Sequence, residues 1–283
     1  MLPSPVVLDP LLLGWLAEDV GRGDRTTEGL GAIAQQPGQA IWRAKASGIV
    51  AGLAIAPRVF QLLDAAVVFS PMVAEGAACE PGMTLATLTG PLGALLTGER
   101  VALNLAMRLS GIATQTRQYV DAIADFPTQL VDTRKTTPGL RILEKYATRM
   151  GGATNHRMGL DDGVMIKDNH IAAAGSIAAA VAQVRQTMPY PLTIEVETET
   201  LAMVAEALAA RADIIMLDNM APDLMAEAVR HIRQQAPHVR IEASGNITLE
   251  TIRSVAETGV DYVSTSAPIT RSPWLDISMR LLT

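Results

Sequence analysis

Between Asp132 and His170 the chain gathers Arg134, Lys135, His156, Arg157, Lys167 and His170, in a protein whose formal net charge is −6. Arginine offers a planar fork of donors that grips carboxylate or phosphate oxygens in pairs, and lysine a mobile point charge. The mixture suits a ligand with several anionic groups of different shape, and the apolar runs and Gly pairs beside it argue against a merely solvated cationic face. Further on come two carboxylates, Glu197 and Asp218, and a tight Ser244-Gly245-Asn246 turn. The carboxylates could act as an acid/base pair, bind ribose hydroxyls, hold Mg²⁺, or pair with Lys167 and Arg134. Glu195, two residues before Glu197, shares its strand face and is the less secure choice. At the turn, Gly245 lets backbone approach a phosphate and a helix starting near Thr248 would add N–H groups, although an ordinary strand-to-helix turn is the plainer reading. A lone His156 reads as a hydrogen-bonded core residue until Arg157 beside it is considered.

These residues need a scaffold that brings distant segments to one place. Six apolar words end in polar residues and are separated by helical stretches: Gln129–Thr133, Gly163–Lys167, Leu192–Glu197, Ile214–Asp218, Arg240–Ser244 and Tyr262–Ser266. This reads as parallel strands with helical crossovers. In α/β barrels the loops after the strands converge, so Asp132, Lys167, Glu197, Asp218 and Ser244 should face one mouth. The alternative is an open doubly wound sheet, for which no Gly-x-Gly-x-x-Gly follows a first strand. Upstream, Asp9-Pro10 predicts the start of a helix running to about Asp19. The strand-like runs Ala40–Ala44, Val67–Phe69 and Leu85–Leu88, with a helix near 53–64, predict a small α+β unit. From Gly93 to Asp125 the period is helical, with an interruption at Ser110-Gly111 that marks a hinge between two domains.

Composition excludes several classes. One cysteine, Cys79, rules out an intrachain disulfide or a cysteine-rich zinc module and fits a cytoplasmic protein. There is no His-Glu-x-x-His, no Gly-x-Ser-x-Gly, and no metal-ligand spacing among His170, His231 and His238. The acidic balance argues against nucleic acid as a partner. No apolar run is long enough to span a membrane and no signal peptide is read, so a soluble protein is expected.

Taken in order, the words Glu18–Thr27, Leu96–Asn104, Leu109–Thr114, Asp132–Lys135, Asn155–Arg157, Ile166–His170, Glu195–Glu197, Met216–Asn219 and Ser244–Asn246 resemble the quinolinate phosphoribosyltransferase family. The resemblance implies an α/β fold with an N-terminal α+β sandwich domain (residues 1–110) and an incomplete α/β barrel (111–270). A C-terminal segment (271–283) would return to the first domain. It implies transfer of phosphoribosyl from phosphoribosyl pyrophosphate to quinolinate with decarboxylation. Arg134, His156 and Arg157 would surround quinolinate, and Lys135 and Lys167 would meet anionic groups of both substrates. Glu197 and Asp218 would lie at the ribose and at Mg²⁺, these four lysines and carboxylates forming the catalytic set. Thr133, Ser244, Gly245, Asn246, Thr265, Ser266 and Ala267 complete the expected substrate contacts. Arg100 corresponds to an arginine delivered from the partner of a homodimer with shared sites, within a possible higher oligomer. Where the family generally carries Gly, this chain has Ala153 and Ser266. A related branch found beside molybdate-transport genes tends to lose the Asn-His-Arg and Lys-Asp-Asn-His words, which are present here. A nicotinate-type pyridine phosphoribosyltransferase is the other alternative, and it would need fewer cations.

Overall fold

The computed structural model describes residues 2–282. The chain packs as two units: Met1–Arg117 with Thr137–Gly152 and Arg271–Thr283, and Gln118–Thr136 with Ala153–Thr270. The first unit therefore runs past residue 110 and takes back a segment expected in the barrel. Glu144, fully buried in the helix Arg141–Gly151, accounts for this: it accepts from Arg108 at 2.9 Å and from the Thr137 backbone N–H at 2.8 Å. A buried carboxylate is costly unless so paired, and its donors lie in the first unit.

The strands are β1 (Pro37–Ala44), β2 (Gly48–Ile49), β3 (Val68–Pro71), β4 (Ala78–Cys79), β5 (Thr84–Pro91), β6 (Gln129–Val131), β7 (Val164–Ile166), β8 (Ile194–Thr198), β9 (Ile214–Asp218), β10 (Arg240–Ser244), β11 (Tyr262–Ser264) and β12 (Ile277–Leu282). In the first unit an antiparallel sheet runs β12-β1-β5-β3, so the C-terminal strand pairs with the first one. Trp42, Phe60 and Phe69 cluster there, with Trp42 and Phe69 edge to face at 5.1 Å between centroids.

Helix boundaries differ from the sequence expectation in the first helix and in the long helix that follows β5. The first helix is Pro5–Val20, with Pro10 inside it; Leu8, Leu12 and Leu16 form the buried stripe, and Asp9 pairs with Arg58 rather than capping. Residues Leu92–Asp121 form one helix, uninterrupted at Ser110-Gly111. A Cβ on Gly111 would lie 1.9 Å from the Pro273 carbonyl oxygen, so this glycine serves close packing and not a break.

The second unit is the incomplete α/β barrel. Its parallel sheet runs β6-β11-β10-β9-β8-β7, with β6 and β7 at the edges and an isolated bridge from Val131 to Thr154. Alternation sets its two faces. Ile194, Val196, Ile215, Leu217, Ile241, Ala243 and Val263 are buried with helix residues such as Val204, Ala228 and Ile232. Each large aliphatic side chain buried in this way contributes about 1.5–3 kcal/mol. The alternate positions, among them Glu195, Glu197, Met216, Asp218, Glu242 and Ser244, border cavities instead. Among the described residues no helix is long and apolar enough to cross a membrane.

Candidate active site

At the C-terminal ends of the barrel strands lies a cavity of about 560 Å³. Thr133, Arg134, Lys135, His156, Arg157, Lys167, Glu197, Asp218, Ser244, Gly245 and Asn246 all border it. Sequence-distant cations and carboxylates thus meet at one mouth. Arg100 does not line it; Arg100 belongs to the first unit, on Leu92–Asp121. Thr265, Ser266 and Ala267 do not line it either. Thr265 and Ala267 are buried, and the Thr265 hydroxyl donates to the Ile247 carbonyl, whereas Ser264 borders the cavity. The helix expected near Thr248 begins only at Ile252, so the Ser-Gly-Asn turn does not run straight into a helix N-terminus.

Local hydrogen bonds fix the cations. Asp132, buried just beyond β6, accepts from the Asn155 side chain at 2.6 Å and from the His156 backbone N–H at 2.9 Å. That clamp ties the 155–157 loop to the strand end carrying Arg134 and Lys135. Arg157 donates to the Gly163 carbonyl at 2.9 Å, which orients its fork. Burial and the charge of Arg134 press Arg157 below its usual value, and the Glu195 charge works against them. Lys167 forms a close ion pair with Glu197. Asp218 takes a 2.6 Å hydrogen bond from the Asn219 side chain.

Below the mouth, His156 Nε2 faces two buried carboxylates, Glu195 and Glu242, each at 3.3 Å. Glu242 was not singled out in the sequence, although Glu242 and Ser244 alternate on β10 as Glu195 and Glu197 do on β8. One oxygen of each carboxylate, Oε1, is buried without a hydrogen-bond partner. These three side chains could suggest a metal site, since their ligating atoms lie within 4.8 Å of one another. The other ring nitrogen, Nδ1, accepts the Arg157 backbone N–H at 2.7 Å. A ring proton on Nε2 lies between the carboxylates, and the group is a hydrogen-bonded cluster; charging the ring puts a second proton on Nδ1 and costs the Arg157 contact, which opposes the carboxylates' pull. A second cavity, of about 340 Å³, lies toward the N-terminal ends of the strands and is bordered by the same cluster.

Burial opposes charge on His156, but the hydrogen bonds and charges of Glu195 and Glu242 prevail and push it up to about 10. Burial raises Glu195 above 4.5, the His156 hydrogen bond opposes this, and the Glu242 charge adds to it. Both groups hold their protons more tightly folded than unfolded. The His156 contribution to stability is thus complete below 6.5 and is lost as pH rises toward about 10; that of Glu195 is lost as pH rises above 4.5. The melting temperature should therefore fall between pH 7 and 10, less steeply in Glu242→Gln, which removes one of the charges. Parallel melting profiles for parent and variant would contradict this.

Residues 112–280 match the quinolinate phosphoribosyl transferase C-terminal domain, and residues 24–110 match the N-terminal domain of the same family. A probable carboxylating nicotinate-nucleotide pyrophosphorylase of Synechocystis is 62% identical over 99% of this chain and 95% of its own length. The carboxylating nicotinate-nucleotide pyrophosphorylase of Homo sapiens is 38% identical over 99% of this chain and 94% of its own. The crystal structure of NadC from Streptococcus pyogenes superposes with a TM-score of 0.94 at 42% identity, covering 100% of this chain and 99% of that one. Matched along both of its domains, the chain belongs to the quinolinate phosphoribosyltransferase family.

Proposed function

We propose that this protein transfers the phosphoribosyl group of phosphoribosyl pyrophosphate to quinolinate, with decarboxylation, giving nicotinate mononucleotide, CO₂ and pyrophosphate. The observation that carries this reading is the single mouth where Arg134, Lys135, Arg157 and Lys167 stand with Glu197 and Asp218. The full-length likeness to carboxylating relatives supports it over a nicotinate-type or molybdate-associated enzyme.

Each group has a physical task. Arg134 and Arg157 hold the pyridine diacid by its carboxylates, and His156, with both ring nitrogens engaged, backs Arg157 from below. The quinolinate nitrogen attacks the anomeric carbon as the bond to pyrophosphate breaks. Glu197 and Asp218 place negative charge beside the oxocarbenium-like ribose, and Lys135 and Lys167 receive the leaving anion. The bond from C2 to its carboxylate then breaks, CO₂ leaves, and the electron pair left on C2 takes up a proton. The cationic forks compensate the charge until that bond breaks.

Glu197 and Asp218 present hard oxygen ligands of the type Mg²⁺ prefers, and both border the cavity, so their chemistry fits that ion. Bound there, Mg²⁺ would neutralise pyrophosphate charge beyond what the lysines supply. Arg100 would serve the partner's barrel in a homodimer. The lone, buried Cys79 supports a cytoplasmic setting.

Arg157→Lys tests the assignment of the forks. Its kcat/KM for quinolinate should fall about 10- to 100-fold, matching the ~1.5–3 kcal/mol of a hydrogen bond to a charged group, with little change in melting temperature. Parental turnover by a folded Lys variant would contradict the role.

A further inference from the structure

We propose that Asn219 is a positioning residue, a single side-chain amide that holds the Asp218 carboxylate and the Ser244–Asn246 turn in fixed relation at the barrel mouth. The inference rests on the reading of that mouth as the phosphoribosyl site. Asn219 follows the last residue of β9, and its backbone N–H donates to the Ser244 carbonyl at 2.9 Å. Its side chain looks both ways. Nδ2 donates to Asp218 Oδ2 at 2.6 Å, and Oδ1 accepts from Asn246 Nδ2 at 3.2 Å. A carboxylate only accepts, so the amide must present its NH₂ to Asp218, which leaves its oxygen for Asn246.

The backbone agrees with this arrangement. Asn219 and Asn246 have φ of 53° and 51°, the left-handed region that asparagine tolerates better than other residues with side chains. Gly245, at φ 101°, lies between strand end and turn, and a Cβ there would meet Asn219 Oδ1 at 2.2 Å and Asn219 N at 2.8 Å. The sequence reads this glycine as letting backbone approach a phosphate. A side chain at 245 would be strained at that φ and would also meet Asn219. Asp218, Ser244, Gly245, Asn219 and Asn246 all border the cavity, so a shift of this amide would move two walls of the site together.

Two variants separate the side chain from the backbone. Glycine keeps the left-handed conformation and removes the amide; aspartate also tolerates that conformation but sets a second carboxylate against Asp218. If Asn219 served only as a turn former, both variants would work like the parent. Positioning instead predicts that Asn219→Gly lowers kcat/KM for phosphoribosyl pyrophosphate at least about tenfold and Asn219→Asp further, since misplacement by about 1 Å can cost about a hundredfold. Quinolinate affinity measured by calorimetry without the co-substrate, and the melting temperature, should stay near parental, because Arg134 and Arg157 hold the acid.

Either variant within about twofold of the parent in kcat/KM for phosphoribosyl pyrophosphate would overturn the proposal, since misplacement is expected to cost more. So would a parallel loss of quinolinate affinity and melting temperature, which marks a structural role. Asp218→Asn separates the failures: if it is inactive while Asn219→Gly is parental, only the role of Asn219 falls. If Asp218→Asn itself is fully active, the reading of the mouth falls and takes this proposal with it.

Discussion

Proteins carrying Arg100→Ala and Lys167→Ala are each expected to be nearly inactive alone, and mixing them is expected to restore activity. Lys167 stands at the barrel mouth, paired with Glu197. Arg100 lies on Leu92–Asp121 in the first unit, where it borders a cavity of about 220 Å³ with Trp15, Asn104, Arg108 and the half-exposed Trp274. If two chains form a homodimer in which each Arg100 completes the other's barrel, a heterodimer of the two variants has one site with both lesions and one with neither. Random reassortment makes about half the dimers mixed, each with one working site of two, so recovery should reach roughly a quarter of parental activity. Differently tagged chains confirm that exchange has occurred. A mixture that exchanges yet stays inactive would mean that Arg100 acts in its own subunit or not at all.

Much of the barrel was legible because its period is simple. In Ile194-Glu-Val-Glu197 every second residue is apolar and faces the helices, which leaves Glu195 and Glu197 for the interior. Asp218 and Ser244 are placed instead by falling at the C-terminal ends of their strands, where barrel loops converge. Neither signal could rank Glu242, whose significance depends on His156 arriving from the loop after residue 154, a contact that strand alternation does not encode. Asn219 is not legible from the sequence, since its place depends on a left-handed backbone and on Asn246 from the next strand end.

At two helices a local signal is overridden by packing. Gly111 reads locally as a helix break, but the helix runs through it and the missing side chain leaves room for the Pro273 backbone. Pro10 looked like a helix start, but Leu8, Leu12 and Leu16 bury one stripe across it. The return of Thr137–Gly152 to the first unit follows from the buried Glu144 and its partners, which no contiguous window of sequence displays.

In the proposed reaction the cationic mouth commits a pyridine diacid to loss of one carboxylate. On the proposed reading Arg134 and Arg157, which border the cavity, would supply forks for two carboxylates, where a monoacid would leave cationic capacity unmatched. Supplied with phosphoribosyl pyrophosphate, Mg²⁺ and quinolinate labelled with ¹³C in its 2-carboxylate, the protein should release labelled CO₂ and unlabelled nicotinate mononucleotide in equal amounts. Nicotinate in place of quinolinate should give almost no nucleotide, and excess chelator should stop both products. Mass spectrometry of gas and nucleotide from one reaction decides it: one-to-one labelled CO₂ and nicotinate mononucleotide is the result expected. Nucleotide that retains the label, or turnover of nicotinate as fast as of quinolinate, would contradict the account.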